Sequence, residues 1–173
     1  MTKTLIYILM AIFALGSCKK GHELDCFKGT GEITIETTSL SYFNKVEARG
    51  RISVQFLQDG KNEIEITCGE NMLKGITYEI IDSTLYLDNE NKCNWVRRFD
   101  AIPQIIVHYT DLKYFRADNY YDNRFLCQHS GDSIKIEYWG GSGRTFFYGD
   151  VNYAAFLVHA GSGSFEAIGR ANY

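Results

Sequence analysis

Residues 139–149 read WGGSGRTFFYG and residues 159–169 read HAGSGSFEAIG, so the same spacing of glycine and serine returns after 20 residues. Each copy reads as a strand, a tight corner, a second strand and another corner, which is what one coil of a β-solenoid requires. Glycine suits the corners because it adopts positive φ and lets neighbouring chains approach closely. In the alignment, Ile134–Tyr138 lies over Ala154–Val158, the GSG triplet at 141 over the triplet at 161, and Gly149 over Gly169.

The first of these glycine-rich stretches has a competing interpretation as a phosphate-binding loop, since Arg144 and Thr145 follow it. Neither GxGxxG nor GxxxxGK[ST] spacing occurs around Gly141, and Ser164 stands where the second copy would need an arginine. A phosphate site has no reason to recur at a fixed interval. We therefore interpret the glycines as structural.

Elsewhere the hydrophobic pattern has a period of two residues, and no stretch carries a convincing helical face. Breakers such as Asp59-Gly60 and Gly131-Asp132 separate the strands at short intervals. The sequence predicts an all-β domain over residues 26–173, most consistent with a parallel β-solenoid, with a β-sandwich as the alternative. The alternating sets are Ile33/Ile35, Ile52/Val54/Phe56, Ile64/Ile66, Leu85/Leu87, Ile105/Val107, Ile134/Ile136/Tyr138 and Phe156/Val158.

The N-terminus has the pattern of an export signal: Lys3 precedes an apolar run from Leu5 to Leu15 that is too short to span a bilayer. It continues into Leu15-Gly16-Ser17-Cys18, which resembles the lipobox of bacterial lipoproteins. On that resemblance residues 1–17 are a lipoprotein signal peptide, Cys18 carries the lipid, and residues 18–25 form a polar tether. Acyl chains on Cys18 would anchor the protein to a membrane without spanning it. The alternative is an ordinary secreted protein cut near Gly16.

Charge and cysteine content follow from export. Loss of residues 1–17 removes Lys3, so 17 basic and 21 acidic residues leave a net charge of −4, which gives no electrostatic reason to bind nucleic acid. Four cysteines other than Cys18 allow three disulfide connectivities. Cys26 and Cys93 are the candidate disulfide, because they lie outside the strand patterns. Cys68 and Cys127 continue apolar alternations and are predicted to be buried free thiols.

Taken in order, several loose motifs resemble the putative auto-transporter adhesin head, or GIN, domain of bacterial envelope lipoproteins. The resemblance implies a right-handed parallel β-helix-like fold, export, and an adhesive or binding role without catalytic residues. The chain departs from the pattern at Asp118–Asp122, where a glycine-rich turn is usual, and in ending at Tyr173, so we expect C-terminal coils to be missing. The motifs are FNKV at 43–46, RGRISVQFLQ at 49–58, ITYEI at 76–80, STLYL at 83–87, the late GSG repeats, and two stretches of a lipoprotein subgroup, CFKGTG at 26–31 and NKCNWVR at 91–97.

The sequence gives little support for a catalytic or a metal-binding site. His108, His129 and His159 alternate with apolar neighbours and are each predicted to point outward, and no Ser-His-Asp arrangement is apparent. An acidic set could bind calcium, but it lacks the glycine-bearing loop that such sites use. We expect no enzyme activity, no cofactor and no metal. The acidic set is Asp88, Glu90, Asp118 and Asp122.

The 12 tyrosines, 11 phenylalanines and 2 tryptophans exceed what the strands need for a core. If Ile134, Ile136 and Tyr138 point inward, then Lys135, Glu137 and Trp139 point outward, and Phe146 shares a column with Glu166. We predict an exposed binding strip for a glycan or protein ligand. This strip would serve adhesion by a lipoprotein of the cell envelope, which we expect in the outer rather than the inner membrane. The alternative role is a structural scaffold that assembles edge to edge. The strip comprises Trp139, Phe146, Tyr148, Tyr120 and Tyr121.

Overall fold

The computed structural model describes residues 29–92 and 101–171, which form one curled, mixed sheet of 12 strands. The prediction of an all-β protein is confirmed, because the described residues contain only one short α-helix, α1 (Glu70–Leu73). The strands are β1 (Ile33–Ser39), β2 (Lys45–Gly50), β3 (Ser53–Gln58), β4 (Glu63–Gly69), β5 (Ile76–Ile81), β6 (Thr84–Asn89), β7 (Gln104–Tyr109), β8 (Tyr114–Asn119), β9 (Asn123–Phe125), β10 (His129–Tyr138), β11 (Arg144–Val158) and β12 (Ser164–Ala171).

Two ladders of parallel strands make up the body of the sheet. The first runs β6–β2–β8–β10 and ends on the second half of β11. The second runs β7–β3–β9, continues through the first half of β11 and ends on β12. The long strand β11 therefore belongs to both ladders. The predicted 20-residue alignment is confirmed, since Ile134 pairs with Ala154 and Gly149 with Gly169.

The rest of the sheet departs from a solenoid built only of parallel strands. Strand β4 lies antiparallel to both β1 and β7, and β5 lies antiparallel to β6. Strands β5 and β6 are joined by Asp82 and Ser83 alone, both at positive φ (49° and 59°). A two-residue turn of this kind joins antiparallel strands, whereas parallel neighbours need a longer crossover. The described residues therefore form a mixed, curled sheet with parallel ladders and antiparallel outer strands, and this one continuous sheet is not the two-sheet sandwich of the alternative.

Burial follows the predicted alternation over most of the sheet. The inward residues of β3 and β10 are fully buried, and the Phe56 ring packs against Phe115 and Phe125 with centroids 4.7 Å away in each case. Edge strand β1 is different, because Ile33 and Ile35 point outward and are 66% and 63% exposed. The prediction that this pair is half-buried is therefore wrong.

The two glycine corners lie one above the other, as the repeat predicts. The Ser162 amide donates to the Gly141 carbonyl (3.1 Å), and the Ser164 amide donates to the Gly143 carbonyl (3.2 Å). Gly141 and Gly161 have φ of 75° and 87°, a conformation that other residues adopt only with strain. A Cβ at Gly141 would lie 2.0 Å from the Asn119 carbonyl oxygen, so a side chain cannot be accommodated there.

The corner below this stack is built from asparagine instead of glycine. Asn119 and Asn123 are fully buried, and the Asn119 amide donates to the Asn123 side-chain oxygen (2.7 Å) and to the Ile52 carbonyl (2.9 Å). The Asn123 amide in turn lies 3.3 Å from the hydroxyls of Tyr138 and Thr145. The stretch at Asp118–Asp122 thus forms its turn around buried amides.

Candidate functional site

The five strip residues lie around one corner of the curled sheet. Trp139 follows β10 in the first ladder, Tyr120 and Tyr121 lie in the turn between β8 and β9, and Phe146 and Tyr148 are outward residues of β11 in the second ladder. The two turns are stacked, since the Ser142 hydroxyl is 3.4 Å from the Tyr120 carbonyl. The strip therefore spans two faces that meet at a corner.

Phe146 is flanked by two guanidinium groups. The Arg124 guanidinium lies 4.2 Å from the ring centroid and that of Arg144 lies 5.5 Å from it. The register places Arg124, Phe146 and Glu166 side by side on three adjacent strands, as predicted for the last two. Arg144 also lies 3.8 Å from Glu166. The Phe146 ring is half-buried by these contacts, while the guanidinium edges face solvent.

Tyr148 belongs to an exposed apolar column that the sequence reasoning missed. It pairs with Ile168 on β12, and Leu126 follows β9, the strand that neighbours β11 on its other side. Leu126 and Tyr148 are each 44% exposed and Ile168 is 64% exposed. Only the pairing of β11 with β12 brings Tyr148 and Ile168 together, so no local sequence signal marks this contact.

The turn residues differ in how firmly they are held. The Arg51 guanidinium donates to the Tyr121 hydroxyl (2.8 Å) and lies 5.8 Å from its ring centroid. Tyr120 is 56% exposed. Tyr121 is therefore fixed by the protein itself, whereas Tyr120 presents most of its ring to solvent.

Trp139 is exposed by 45%, but its polar and stacking capacity is largely used within the chain. The His159 ring stacks on it with centroids 4.1 Å apart, and the Arg116 guanidinium lies 5.1 Å from its ring. Its indole N–H donates to Glu137 (3.0 Å). Trp139 thus stabilises the corner through contacts within the chain, and only part of its ring is accessible to a ligand.

Glu137 points outward as predicted, yet its side chain is only 4% exposed because neighbouring side chains close over it. The hydroxyl of Tyr114 donates to one carboxylate oxygen (2.8 Å), and Lys135 and His159 contact the other. Burial alone would raise the pKa of Glu137. The hydrogen bonds from Lys135, Trp139, Tyr114 and His159 outweigh burial and hold the pKa at about 2.

The histidines do not behave alike. The prediction that His129 points outward is wrong, because its ring is fully buried beside Phe125 and Phe147. Its Nδ1 lies 2.9 Å from the Tyr109 hydroxyl, and no atom within residues 29–92 and 101–171 forms a hydrogen bond with its Nε2. Burial lowers the pKa of His129 to about 4. The His129 ring points inward at the start of β10, an orientation that alternation alone did not determine.

His108 and His159 lie on the outer surface. The His108 Nδ1 pairs with Asp59 at 2.9 Å, and His159 contacts Glu137. Within residues 29–92 and 101–171, no three histidine, cysteine or carboxylate side chains lie close enough together to bind a metal ion. Cys68 and Cys127 are free thiols, the first buried and the second half-buried. Cys18, Cys26 and Cys93 lie outside the described residues, as do the signal segment and the tether.

No helix in the described part of the chain has the length and apolar character needed to cross a membrane.

Comparison with solved structures identifies the same fold in bacterial proteins. A putative adhesin from Parabacteroides merdae is 19% identical with a TM-score of 0.62, over 75% of this chain and 54% of its own. A putative adhesin from Bacteroides fragilis is 13% identical with a TM-score of 0.58, over 82% and 100%. A putative lipid binding protein from Parabacteroides distasonis is 15% identical with a TM-score of 0.59, over 82% and 69%. The chain thus spans about half the length of the first of these proteins.

The curled mixed sheet and these likenesses define the class of the fold as an all-β domain. The chain belongs to the family described as putative auto-transporter adhesin, head GIN domain, whose profile matches residues 42–173. The family predicted from the sequence is therefore confirmed. The family description points to a domain that binds some ligand at the cell envelope or surface. No curated protein matches the chain.

Proposed function

We propose that this protein is a lipid-anchored envelope protein that acts by binding a glycan or protein ligand on the outer face of its sheet, without catalysis. Its membership of the adhesin head family supports the binding role. The apolar run before Leu15-Gly16-Ser17-Cys18 supports removal of residues 1–17 and acylation of Cys18. A tether over residues 18–25 would then hold the domain of residues 26–173 at the outer membrane.

A more detailed proposal for the fold also fits this role. In this proposal the two parallel ladders are the coils of a right-handed β-helix, which the antiparallel strands β4, β1 and β5 close at one end. The 20-residue register of β10, β11 and β12 supports the coils. A disulfide between Cys26 and Cys93 would secure the start of the domain. Stacked coils present long flat faces, which suit extended ligands.

One observation carries the binding proposal: arginine side chains and exposed aromatic rings share the outer face of the second ladder. Tyr148 offers an exposed ring on which a sugar can stack. Arg124 and Arg144, which flank neighbouring Phe146, supply forked donors that match a carboxylate. We therefore favour an acidic glycan. Tyr120, Tyr121 and Trp139 extend the strip around the corner.

A glycan array probed with purified full-length protein in detergent tests the proposal. We expect signals for glycans that carry uronic or sialic acids, which decrease at least 10-fold in Tyr148→Ala and Arg124→Gln. Tyr42→Ala is the matched control, because Tyr42 is a similarly exposed tyrosine (50%) in the segment before β2. Loss of binding in the control but not in the strip variants would refute the strip. Concentration-dependent assembly unaffected by the strip variants, without glycan binding, would favour the scaffold instead.

The membrane anchor has its own test. Wild-type protein should sediment with the outer membrane and partition into detergent, and Cys18→Ser should be released into the soluble fraction. Lys19→Ser is a control for a nearby change that leaves the cysteine intact. Equal membrane association of Cys18→Ser and wild type would contradict acylation at Cys18.

A further inference from the structure

A cavity of about 330 Å³ lies on the outward side of strands β2, β5 and β6, away from the strip on β11. The side chains that matter for its chemistry are those of Glu47, Arg49, Glu79, Tyr86, Asp88 and Glu90. A volume of this size accommodates a small polar molecule or a single long side chain.

Strand register explains how these groups face one another. Tyr86 on β6 pairs with Glu47 on β2 and, on its other side, with Glu79 on β5. Side chains directly opposite on adjacent strands point to the same face with Cβ atoms about 5 Å apart. The Tyr86 ring is therefore flanked by one carboxylate on each side. The two carboxylates belong to strands about 10 Å apart, because each strand spacing is about 4.8 Å.

The charge of the cavity is strongly unbalanced. Glu47 is compensated, since the guanidinium groups of Arg49 and Arg116 lie 3.3 and 3.8 Å from it. In residues 29–92 and 101–171, by contrast, Glu79, Asp88 and Glu90 make no ion pair. The four acidic groups that line the cavity, set against Arg49 in the lining and Arg116 beside Glu47, leave a net charge of −2 around the space. Such a site attracts cations, and the attraction is greatest at low ionic strength.

We propose that this cavity binds an organic cation, an ammonium or guanidinium group, with its charge over the Tyr86 ring and its N–H donors directed to the flanking carboxylates. An aromatic face attracts such a cation within about 6 Å of its centroid. A metal ion fits less well, because it needs ligand atoms within about 2.6 Å and the carboxylates flank the ring on opposite sides. The cation could be a lysine or arginine side chain of a partner protein, or a free alkylamine.

The proposal goes beyond the acidic-glycan function and uses none of its residues. The cavity is on the first ladder and takes positive charge, whereas the strip on β11 takes negative charge. Variants of the two sites therefore separate the two proposals: Tyr148→Ala should leave cation binding intact, and Tyr86→Leu should leave glycan binding intact.

Titration calorimetry and NMR with the full-length protein in detergent at low salt provide the test. The probes are Nα-acetyl-lysine methylamide, its arginine counterpart, putrescine and Ca²⁺, with Nα-acetyl-glutamine methylamide as the uncharged control. We expect millimolar or tighter binding of the organic cations that weakens as salt is added, and little binding of the glutamine probe. Preference for the amino-acid probes would indicate a basic protein partner, and preference for putrescine a free amine.

Variants establish that the cavity is the site. Tyr86→Leu should weaken binding about 3- to 10-fold, the range expected from loss of a cation–π contact, and Glu79→Gln or Asp88→Asn should also weaken it. The controls are Tyr153→Leu, an exposed tyrosine on β11, and Glu65→Gln on β4. Thermal unfolding confirms that each variant is folded. Absence of organic-cation binding, tighter binding of Ca²⁺, or equal loss in the cavity and control variants would overturn the proposal.

Discussion

Acidification should destabilise this protein through one buried side chain, that of His129. Its ring is fully buried beside aromatic neighbours, its Nδ1 lies within hydrogen-bond distance of the Tyr109 hydroxyl, and its Nε2 has no hydrogen-bond partner in the described part of the chain. A second proton would place a charge in this apolar surrounding, so burial lowers the pKa to about 4 from an ordinary value of 6.5. The nearby Asp111 opposes this shift only in part.

The sign and size follow from proton linkage. The unfolded chain binds a proton on His129 near pH 6.5, but the folded protein resists protonation until about pH 4. Folding stability contributed by the neutral ring is therefore complete above pH 6.5 and is lost as the pH decreases toward 4. Since each pH unit corresponds to 1.36 kcal/mol, the loss between pH 7 and pH 4.5 should be about 2 to 3 kcal/mol.

Urea unfolding at a series of pH values measures this loss. His129→Phe leaves the Tyr109 hydroxyl without its partner and should be less stable by about 1 to 3 kcal/mol at pH 7. Between pH 7 and pH 4.5 its free energy of unfolding should nevertheless decrease by about 2 to 3 kcal/mol less than that of the wild type, because the variant lacks the buried imidazole. His108→Gln, which removes a half-buried histidine from the outer surface, should retain the acid loss. Parallel pH profiles of wild type and His129→Phe would refute the argument.

Three further predictions follow from the sheet. Gly141→Ala should lower the free energy of unfolding by about 2 kcal/mol or more, because φ is 75° and the new Cβ would meet a carbonyl oxygen. The control is Gly131→Ala, whose new Cβ would have no atom within 3.4 Å, and which should be nearly neutral in denaturant titrations. Glu137→Gln should cost about 1 to 3 kcal/mol at pH 7, and calorimetry should find that this difference shrinks as the pH decreases from 4.5 to 2, where the wild-type carboxylate is protonated. Asn119→Ala should cost about 1 to 3 kcal/mol by leaving its buried partners unpaired, and no change in urea midpoint would contradict this role.

The sequence predicted those parts of the fold that repeat locally. Alternation identified Ile134, Ile136 and Tyr138 as one buried face, and the returning GSG triplet identified strands that stack. The β5–β6 hairpin was not predicted from the sequence, because its turn, Asp82-Ser83, contains no glycine to indicate positive φ. Asn119 escaped because a polar residue in a turn is expected at the surface, and its burial depends on partners 4 to 67 residues away.

The candidate sites were only partly predictable for the same reason. Tyr148 was identified from its outward phase, but its neighbour Ile168 comes from another strand. The environment of Tyr86 depends on β2 and β5 together. Alternation assigns a side chain to a face, whereas its companions on that face depend on which strands pair.

The fixed offset between β10, β11 and β12 restricts how this gene can change in length. Deleting one codon within Arg144–Val158 would invert the orientation of every later side chain in the strand, so that the Phe147 position would turn to water and the Tyr148 position to the interior. A duplication of 20 codons, by contrast, would preserve every column and add one level to the stack. Natural variants of this domain should therefore differ by whole units, or by additions confined to the bends.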